Sequence, residues 1–176
     1  MRYTKKAVIT SACIALCIIL PMIFHAIPKA GNVWLPMHIP VLLCGLVCGW
    51  KFGLLCGILG PFVSSILTQM PPAVSLPAMV CELSVYGIIT GITSELIRTG
   101  KTITDSVISL LISMICGRIV YGIVNSLLFR AGNYSIQTWL TASFVTALPG
   151  IILQLVLIPA IINSLEKSGL IPQRYS

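Results

Sequence analysis

Charged residues are scarce in this sequence, and acidic residues are the scarcest of them. Only 9% of its 176 residues are Asp, Glu, Lys or Arg, and the acids number four. Ordinary soluble domains carry about 25% charged residues. Hydrophobic residues make up 57% of the chain. This composition excludes nearly all soluble classes and is typical of an all-α integral membrane protein, in which the helices satisfy their own backbone hydrogen bonds.

Motifs for common enzyme chemistry are also missing. The sequence has no H-E-x-x-H metalloprotease motif and no G-x-S-x-G hydrolase motif. It also has no G-x-x-x-x-G-K-[ST] motif, so it cannot energise transport with ATP by itself. At about 20 residues per spanning helix, the length allows at most six or seven spans and no soluble catalytic domain. We therefore predict one transmembrane domain over residues 1–176 that is not an enzyme and needs no cofactor.

Six apolar segments are predicted to form a compact bundle of transmembrane helices. They cover residues 7–28, 36–48, 52–68, 74–97, 103–128 and 138–165. The second and third are short for a full crossing and are separated by a predicted turn over residues 49–53, where a charge and an aromatic lie between two glycines. The sixth is expected to bend at Pro149-Gly150.

The distribution of Lys and Arg predicts the orientation in the cell membrane. Six spans put both termini on one side, and with the N-terminus inside, eight basic residues are cytoplasmic against two outside. The eight are Arg2, Lys5, Lys6, Lys51, Arg98, Lys101, Lys167 and Arg174. This positive-inside bias predicts cytoplasmic termini, with the loops at 28–34, 69–73 and 130–137 outside. Because the basic residues are scattered at the ends of apolar runs, the net charge of +7 does not indicate nucleic-acid binding.

The seven cysteines all fall inside predicted spans. A disulfide framework belongs to small secreted domains and is not indicated here. Cys13 and Cys17 share a helix face, as do Cys44 and Cys48, but no nearby His completes a metal site. We interpret these thiols as small apolar packing residues and predict no bound metal.

Small residues recur at helical spacing in two places. Glycines occupy every fourth position from Gly45 to Gly57, a ladder that lets helix backbones approach closely in lipid and predicts tight packing of the second and third spans. Ala7, Ser11 and Ala15 form a similar strip on the first span. That strip is either an internal contact or a docking face for another membrane helix, and spacing alone leaves both open.

Glu82 and Arg118 are the acid and the base predicted to lie deep in spans, where an unpaired charge costs at least ~2.5 kcal/mol. From the predicted span ends, they lie about 9 and 18 Å below the outer surface, so they either pair across a long reach or bind a ligand. Tyr86 shares the face of Glu82, and Tyr121 and Asn125 share the face of Arg118. These five residues are the candidate lining of a polar pocket open to the outside.

His38 and Trp34 are predicted at the outer mouth of this pocket. They lie beside the proline-flanked segment that opens the second span. A lone His at an interface is more often a snorkelling polar residue than a ligand contact. Both interpretations remain open, and we include the two residues as candidate substrate contacts near a lid.

One region of the sequence resembles the substrate-binding S components of energy-coupling factor (ECF) vitamin transporters. It consists of the segment Pro36-Met-His-Ile-Pro-Val-Leu-Leu43 followed by the pattern Gly45-x3-Gly49-x3-Gly53-x3-Gly57-x2-Gly60-Pro61. The six short spans and the small-residue strip on the first span resemble these S components too. The resemblance implies a subunit that captures a vitamin or related micronutrient for an ABC-type importer. It also implies as partners a transmembrane coupling subunit, which the strip at Ala7, Ser11 and Ala15 would contact, and two cytoplasmic ATPases.

Two other hypotheses remain open at this point. One is a small self-sufficient secondary transporter or channel, assembled as an oligomer around the same charges. Inverted repeats would favour it, but Glu82 and Arg118 have no counterparts in the first three spans. The other is a membrane scaffold without a ligand. Retention of a small molecule by the purified monomer distinguishes the S component from both.

Overall fold

The computed structural model describes residues 1–24, 33–128 and 136–175, and these ranges are built of helices joined by short connections. In chain order they are α1 (Tyr3–Phe24), α2 (His38–Cys48), α3 (Trp50–Thr68), α4 (Leu76–Leu96), α5 (Thr102–Leu128), α6 (Ile136–Leu140) and α7 (Leu148–Lys167). A π-helical stretch, Thr141–Thr146, joins α6 to α7. The described ranges contain no strand, and the predicted all-α class is confirmed.

Five of these helices, α1, α3, α4, α5 and α7, are long and apolar enough to cross a membrane. The chain is therefore a multi-pass membrane protein. With 11 residues, α2 is apolar but rises only about 16 Å, roughly half of a hydrocarbon core. The predicted six spans are thus observed as five long helices and one shorter one.

Two of the predicted breaks are placed differently in the structure. The turn expected over residues 49–53 is a single residue, Gly49, whose φ of 91° is a conformation that glycine adopts without steric cost. Helical hydrogen bonds continue on both sides of it, so α3 begins at Trp50. In the last span, Pro149 does not bend a helix but lies in the first turn of α7, where its missing N–H costs nothing. The interruption comes earlier, at Thr141–Thr146 and Ala147.

The other predicted boundaries agree to within a few residues. The second helix begins at His38 because Pro36 and Met37 form a turn before it. The predicted loops at 28–34 and 130–137, and the end of the first span at Pro28, lie largely outside the described residues.

Helix α4 lies at the centre of the described bundle and packs against α2, α3 and α5. Its Gly87 lies so close to Gly53 of α3 that neither residue has room for a Cβ atom. Gly45 of α2 and Gly57 of α3 abut α4 in the same way. The glycine ladder therefore serves mainly the contact with α4. The predicted contact between α2 and α3 is present as well, since Gly53 also lies against Gly45.

Successive helices alternate in direction when the short α2 is counted, so the N-terminus and the C-terminal segment lie at one end of the described bundle, which we call the terminal end. Residues of the first helix and of the C-terminal segment line two cavities of about 740 and 460 Å³ there. The start of α2, the first half of α4 and the last half of α5 lie towards the opposite end. This second region contains the candidate site.

Candidate ligand-binding site

Three helices bring four polar side chains together in the described core: His38 on α2, Glu82 and Tyr86 on α4, and Arg118 on α5. We call these four the charged cluster. The Arg118 guanidinium lies 3.0 Å from Oε1 of Glu82. The Tyr86 hydroxyl donates a hydrogen bond of 3.0 Å to the same oxygen. On the other side of the carboxylate, Nε2 of His38 lies 3.6 Å from Oε2. Glu82 is thus the centre of the cluster.

Solvent hardly reaches this cluster. The exposed fractions are 1% for His38, 2% for Glu82, 1% for Tyr86 and 5% for Arg118. Charges at such depth require partners, because their desolvation is expensive. The formal charges of Glu82 and Arg118 cancel, so with a neutral imidazole the cluster is electrically neutral as a whole. The alternative that the two charges pair with each other is therefore realised in this structure.

The sequence positions these side chains by simple helical geometry. Glu82 and Tyr86 are four residues apart and share one face of α4. The ring of Tyr86 lies directly over Gly117, the neighbour of Arg118, where a Cβ atom would collide with it. His38 packs edge-on against the same ring, with centroids 5.3 Å apart. Tyr86 thus connects all three helices.

The depth of the two charges differs less than the sequence suggested. Glu82 lies six residues, or about 9 Å, into α4, and Arg118 lies ten residues, or about 15 Å, before the end of α5. The remaining offset of roughly 6 Å is within reach of an extended arginine side chain. Direct contact therefore needs neither an unusual tilt nor a shift of either helix.

Two further predicted residues continue from Arg118 along α5. Asn125 is 3% exposed, and its amide donates a 2.9 Å hydrogen bond to the backbone carbonyl of Tyr121. Tyr121 itself is half-buried. Trp34 is 37% exposed, and the contacts described above for the charged cluster do not include it. The structure thus groups four of the seven predicted contacts tightly, while the other three lie outside that group.

Sequence reasoning missed two supports of the cluster. The indole N–H of Trp139, on α6, donates a 3.0 Å hydrogen bond to the backbone carbonyl of Arg118. The carbonyl of Leu35 accepts the N–H of His38 at 3.0 Å and the side-chain amide of Gln154 at 3.4 Å. Nothing in the positions of Gln154 and Trp139 along the sequence pointed to these contacts. Both links depend on tertiary contacts that a linear pattern does not contain.

Two hydroxyl side chains of the π-helical stretch differ in exposure. Ser143 is 1% exposed and belongs to the described core, whereas Thr146 is exposed. Within the described ranges, no group of three His, Cys, Asp or Glu side chains is arranged to hold a metal ion.

Comparison with protein families decides the class of this chain. The profile of the family described as ECF transporter, substrate-specific component, matches residues 5–162, which is most of the sequence. The chain belongs to this family. The predicted resemblance is thereby confirmed, and the protein is an S component, a transporter subunit rather than an enzyme. No curated protein and no solved structure matches it.

The small-residue strip of this S component lies on the outside of the bundle for most of its length. Ser11 and Ala15 are exposed and Ala7 is half-buried. The Ser11 hydroxyl donates a 3.1 Å hydrogen bond to the carbonyl of Ala7. Its polar atom is therefore satisfied within α1.

Proposed function

We propose that this S component captures a small polar ligand, a vitamin or related micronutrient, from outside the cell. It then delivers the ligand through a transmembrane coupling subunit driven by two cytoplasmic ATPases. The family match supports the transport role. The charged cluster supports the binding role, because a buried set of ionised and hydrogen-bonding groups is a default ligand site in a membrane protein.

The ligand site in this proposal is built around the charged cluster and continues along α5. Glu82 accepts hydrogen bonds from the ligand, Arg118 donates to a ligand acceptor, and the Tyr86, Tyr121 and Asn125 side chains complete the lining. His38, which belongs to the cluster itself, and Trp34 are the remaining proposed contacts. The burial of Asn125 on the same helix face as Arg118 supports its inclusion.

The proposed orientation places the terminal end in the cytoplasm. The eight-to-two distribution of basic residues supports it. A cysteine introduced at exposed Ala73, between α3 and α4, should then react with an impermeant thiol reagent in intact cells. A cysteine at exposed Lys101, between α4 and α5, should react only after the cells are opened. The reverse pattern would refute this orientation.

The strip at Ala7, Ser11 and Ala15 is the proposed contact with the coupling subunit. Its exposure supports a contact outside the chain, because small residues let two helix backbones approach closely in lipid. Helices α2 and α3 contact α1 at other residues, among them Thr10 and Cys17.

Reconstitution tests this function. The purified protein alone in vesicles should bind ligand but not accumulate it. Addition of the coupling subunit, the ATPases and ATP should produce accumulation. Accumulation by the protein alone would instead support the alternative of a self-sufficient oligomeric transporter or channel. Failure to bind any small molecule would refute the proposal.

A further inference from the structure

His38 is a buried side chain whose hydrogen-bonding capacity is unused in the described part of the chain. It is 1% exposed, and neither ring nitrogen has a hydrogen-bond partner there. Its Nε2 lies 3.6 Å from Oε2 of Glu82, which is longer than a hydrogen bond. Buried polar groups without partners are rare in native proteins and call for an explanation.

The two oxygens of Glu82 are used unequally. Oε1 accepts from both the guanidinium of Arg118 and the hydroxyl of Tyr86, each at 3.0 Å. For Oε2, the structure gives one described neighbour of this kind, His38. An unused acceptor thus lies beside an imidazole with an unused donor and an unused acceptor.

We infer that the ligand meets His38 and Glu82 with an uncharged edge in which a hydrogen-bond donor and an acceptor are neighbours. A lactam, a primary amide or an amino-substituted azine ring has such an edge. This inference rests on the proposed function and specifies its substrate class. The ligand N–H donates to Oε2 of Glu82, while the neighbouring ligand acceptor receives the imidazole N–H. Two protein groups only 3.6 Å apart are matched by neighbouring atoms of one ligand group.

Charge supports an uncharged edge at this position. A ligand carboxylate has no hydrogen-bond donor for Oε2 of Glu82, and its negative charge would lie beside that of the Glu82 carboxylate. A ligand ammonium would leave the imidazole N–H without an acceptor and add a positive charge beside Arg118. A neutral edge fills both open positions and preserves the balance between Glu82 and Arg118, which costs least in a buried site.

Three probes of similar size separate the two contacts. 2-Aminopyrimidine has the complete edge, 2-methylpyrimidine lacks the donor, and aniline lacks the neighbouring acceptor. The affinity of each is measured by thermal shift of the full chain in detergent, at millimolar probe concentrations. We expect 2-aminopyrimidine to bind about tenfold more tightly than either of the others, because one hydrogen bond to a charged or buried group contributes enough binding free energy for about that difference in affinity.

Two substitutions at one position assign the acceptor contact to His38. His38→Phe keeps a ring against Tyr86 but has no N–H, so it should lose the preference over aniline and keep the preference over 2-methylpyrimidine. His38→Gln restores an N–H donor and should recover part of the lost preference. The inference would be overturned if the three probes bound equally or if none of them bound. It would also be overturned if the His38→Phe protein still preferred 2-aminopyrimidine over aniline.

Mass spectrometry of small molecules released from the same preparation distinguishes this failure from a failure of the proposed function. A retained ligand without the donor–acceptor edge refutes the inference and leaves the capture role intact. A preparation that retains nothing, binds no probe and supports no uptake with its partners refutes both.

Discussion

The carboxylate of Glu82 and the guanidinium of Arg118 meet at 3.0 Å in a core that solvent hardly reaches. They come from two different helices, α4 and α5, so the ion pair links these helices and also places two charged groups in the candidate site. Tyr86 and His38 surround the same carboxylate. The ligand site that we propose here would therefore consist of groups already oriented by one another, which reduces the ordering cost of binding.

Loss of one member of the pair should destabilise the protein more than loss of both. Arg118→Met leaves a buried carboxylate uncompensated and should cost about 3–5 kcal/mol in the free energy of unfolding. The double variant Glu82→Gln/Arg118→Met removes both charges and should recover much of that loss. Denaturant unfolding in detergent, followed by circular dichroism, measures the difference. Additive effects of the two substitutions would mean that the charges act independently.

A bulky residue at Gly87 should disrupt the contact between α3 and α4. Gly87→Leu forces a side chain into the backbone of Gly53 and should cost at least about 1–3 kcal/mol or prevent folding. Cys81→Leu adds bulk on the exposed side of the same helix and is the matched control, with little expected effect. Comparable unfolding midpoints for the two variants would show that the close approach of the helices is not needed for stability.

The C-terminal segment contacts the start of α5 at the fully buried carboxylate of Asp105, and we call this set of contacts the clasp. Asp105 is 0% exposed and accepts the backbone N–H of Thr99 at 2.9 Å and its hydroxyl at 2.6 Å. The hydroxyl of Tyr175 donates to its other oxygen. Arg174 lies 3.7 Å from that same oxygen, and its backbone N–H donates to Glu166 on α7.

Tyr175→Phe should therefore destabilise the protein by about 1–3 kcal/mol, because it removes a donor to a buried carboxylate. Tyr3→Phe is the matched control: Tyr3 is 77% exposed at the same end of the bundle, and we expect a change within about 0.5 kcal/mol. Unfolding experiments in detergent compare the two. If the Tyr175 and Tyr3 variants are equally stable, the clasp contributes nothing measurable.

Ser11→Trp should separate binding from transport. The indole blocks close approach of a partner helix without reaching the charged cluster, so uptake should be lost while ligand binding by the isolated protein is unchanged. Leu16→Trp is the control, because Leu16 is 39% exposed and lies about 140° around α1 from Ser11. Loss of binding in the Ser11 variant would mean that the strip supports the fold. Equal uptake losses in both variants would argue against a specific docking face.

The fold class and the main helices were predictable because they follow from local patterns. Apolar length and the positions of charges and prolines place five of the helices to within a few residues. The turn at Gly49 was predicted too long, since the sequence does not indicate that one glycine with positive φ suffices to reverse the chain. Likewise, Pro149 signals a break equally well from inside a helix or from its first turn.

The candidate site was predictable only in part, for a related reason. The cost of burying charge identified Glu82 and Arg118 without any structure, and helical spacing added Tyr86. The position of His38 against Glu82 required the packing of α2 on α4, which no local pattern contains. The role of Trp139 depends in the same way on how α6 meets α5.

The most direct test of the account is the small-molecule content of the purified protein. Mass spectrometry should detect one retained ligand at near-stoichiometric amounts in the parent chain. The ligand should be strongly depleted in Arg118→Lys, which keeps the charge but loses the planar fork. It should remain in the Tyr3→Phe control. An Arg118→Lys protein that stays folded and monodisperse and retains the ligand as fully as the parent would contradict the assignment of the charged cluster as the binding site.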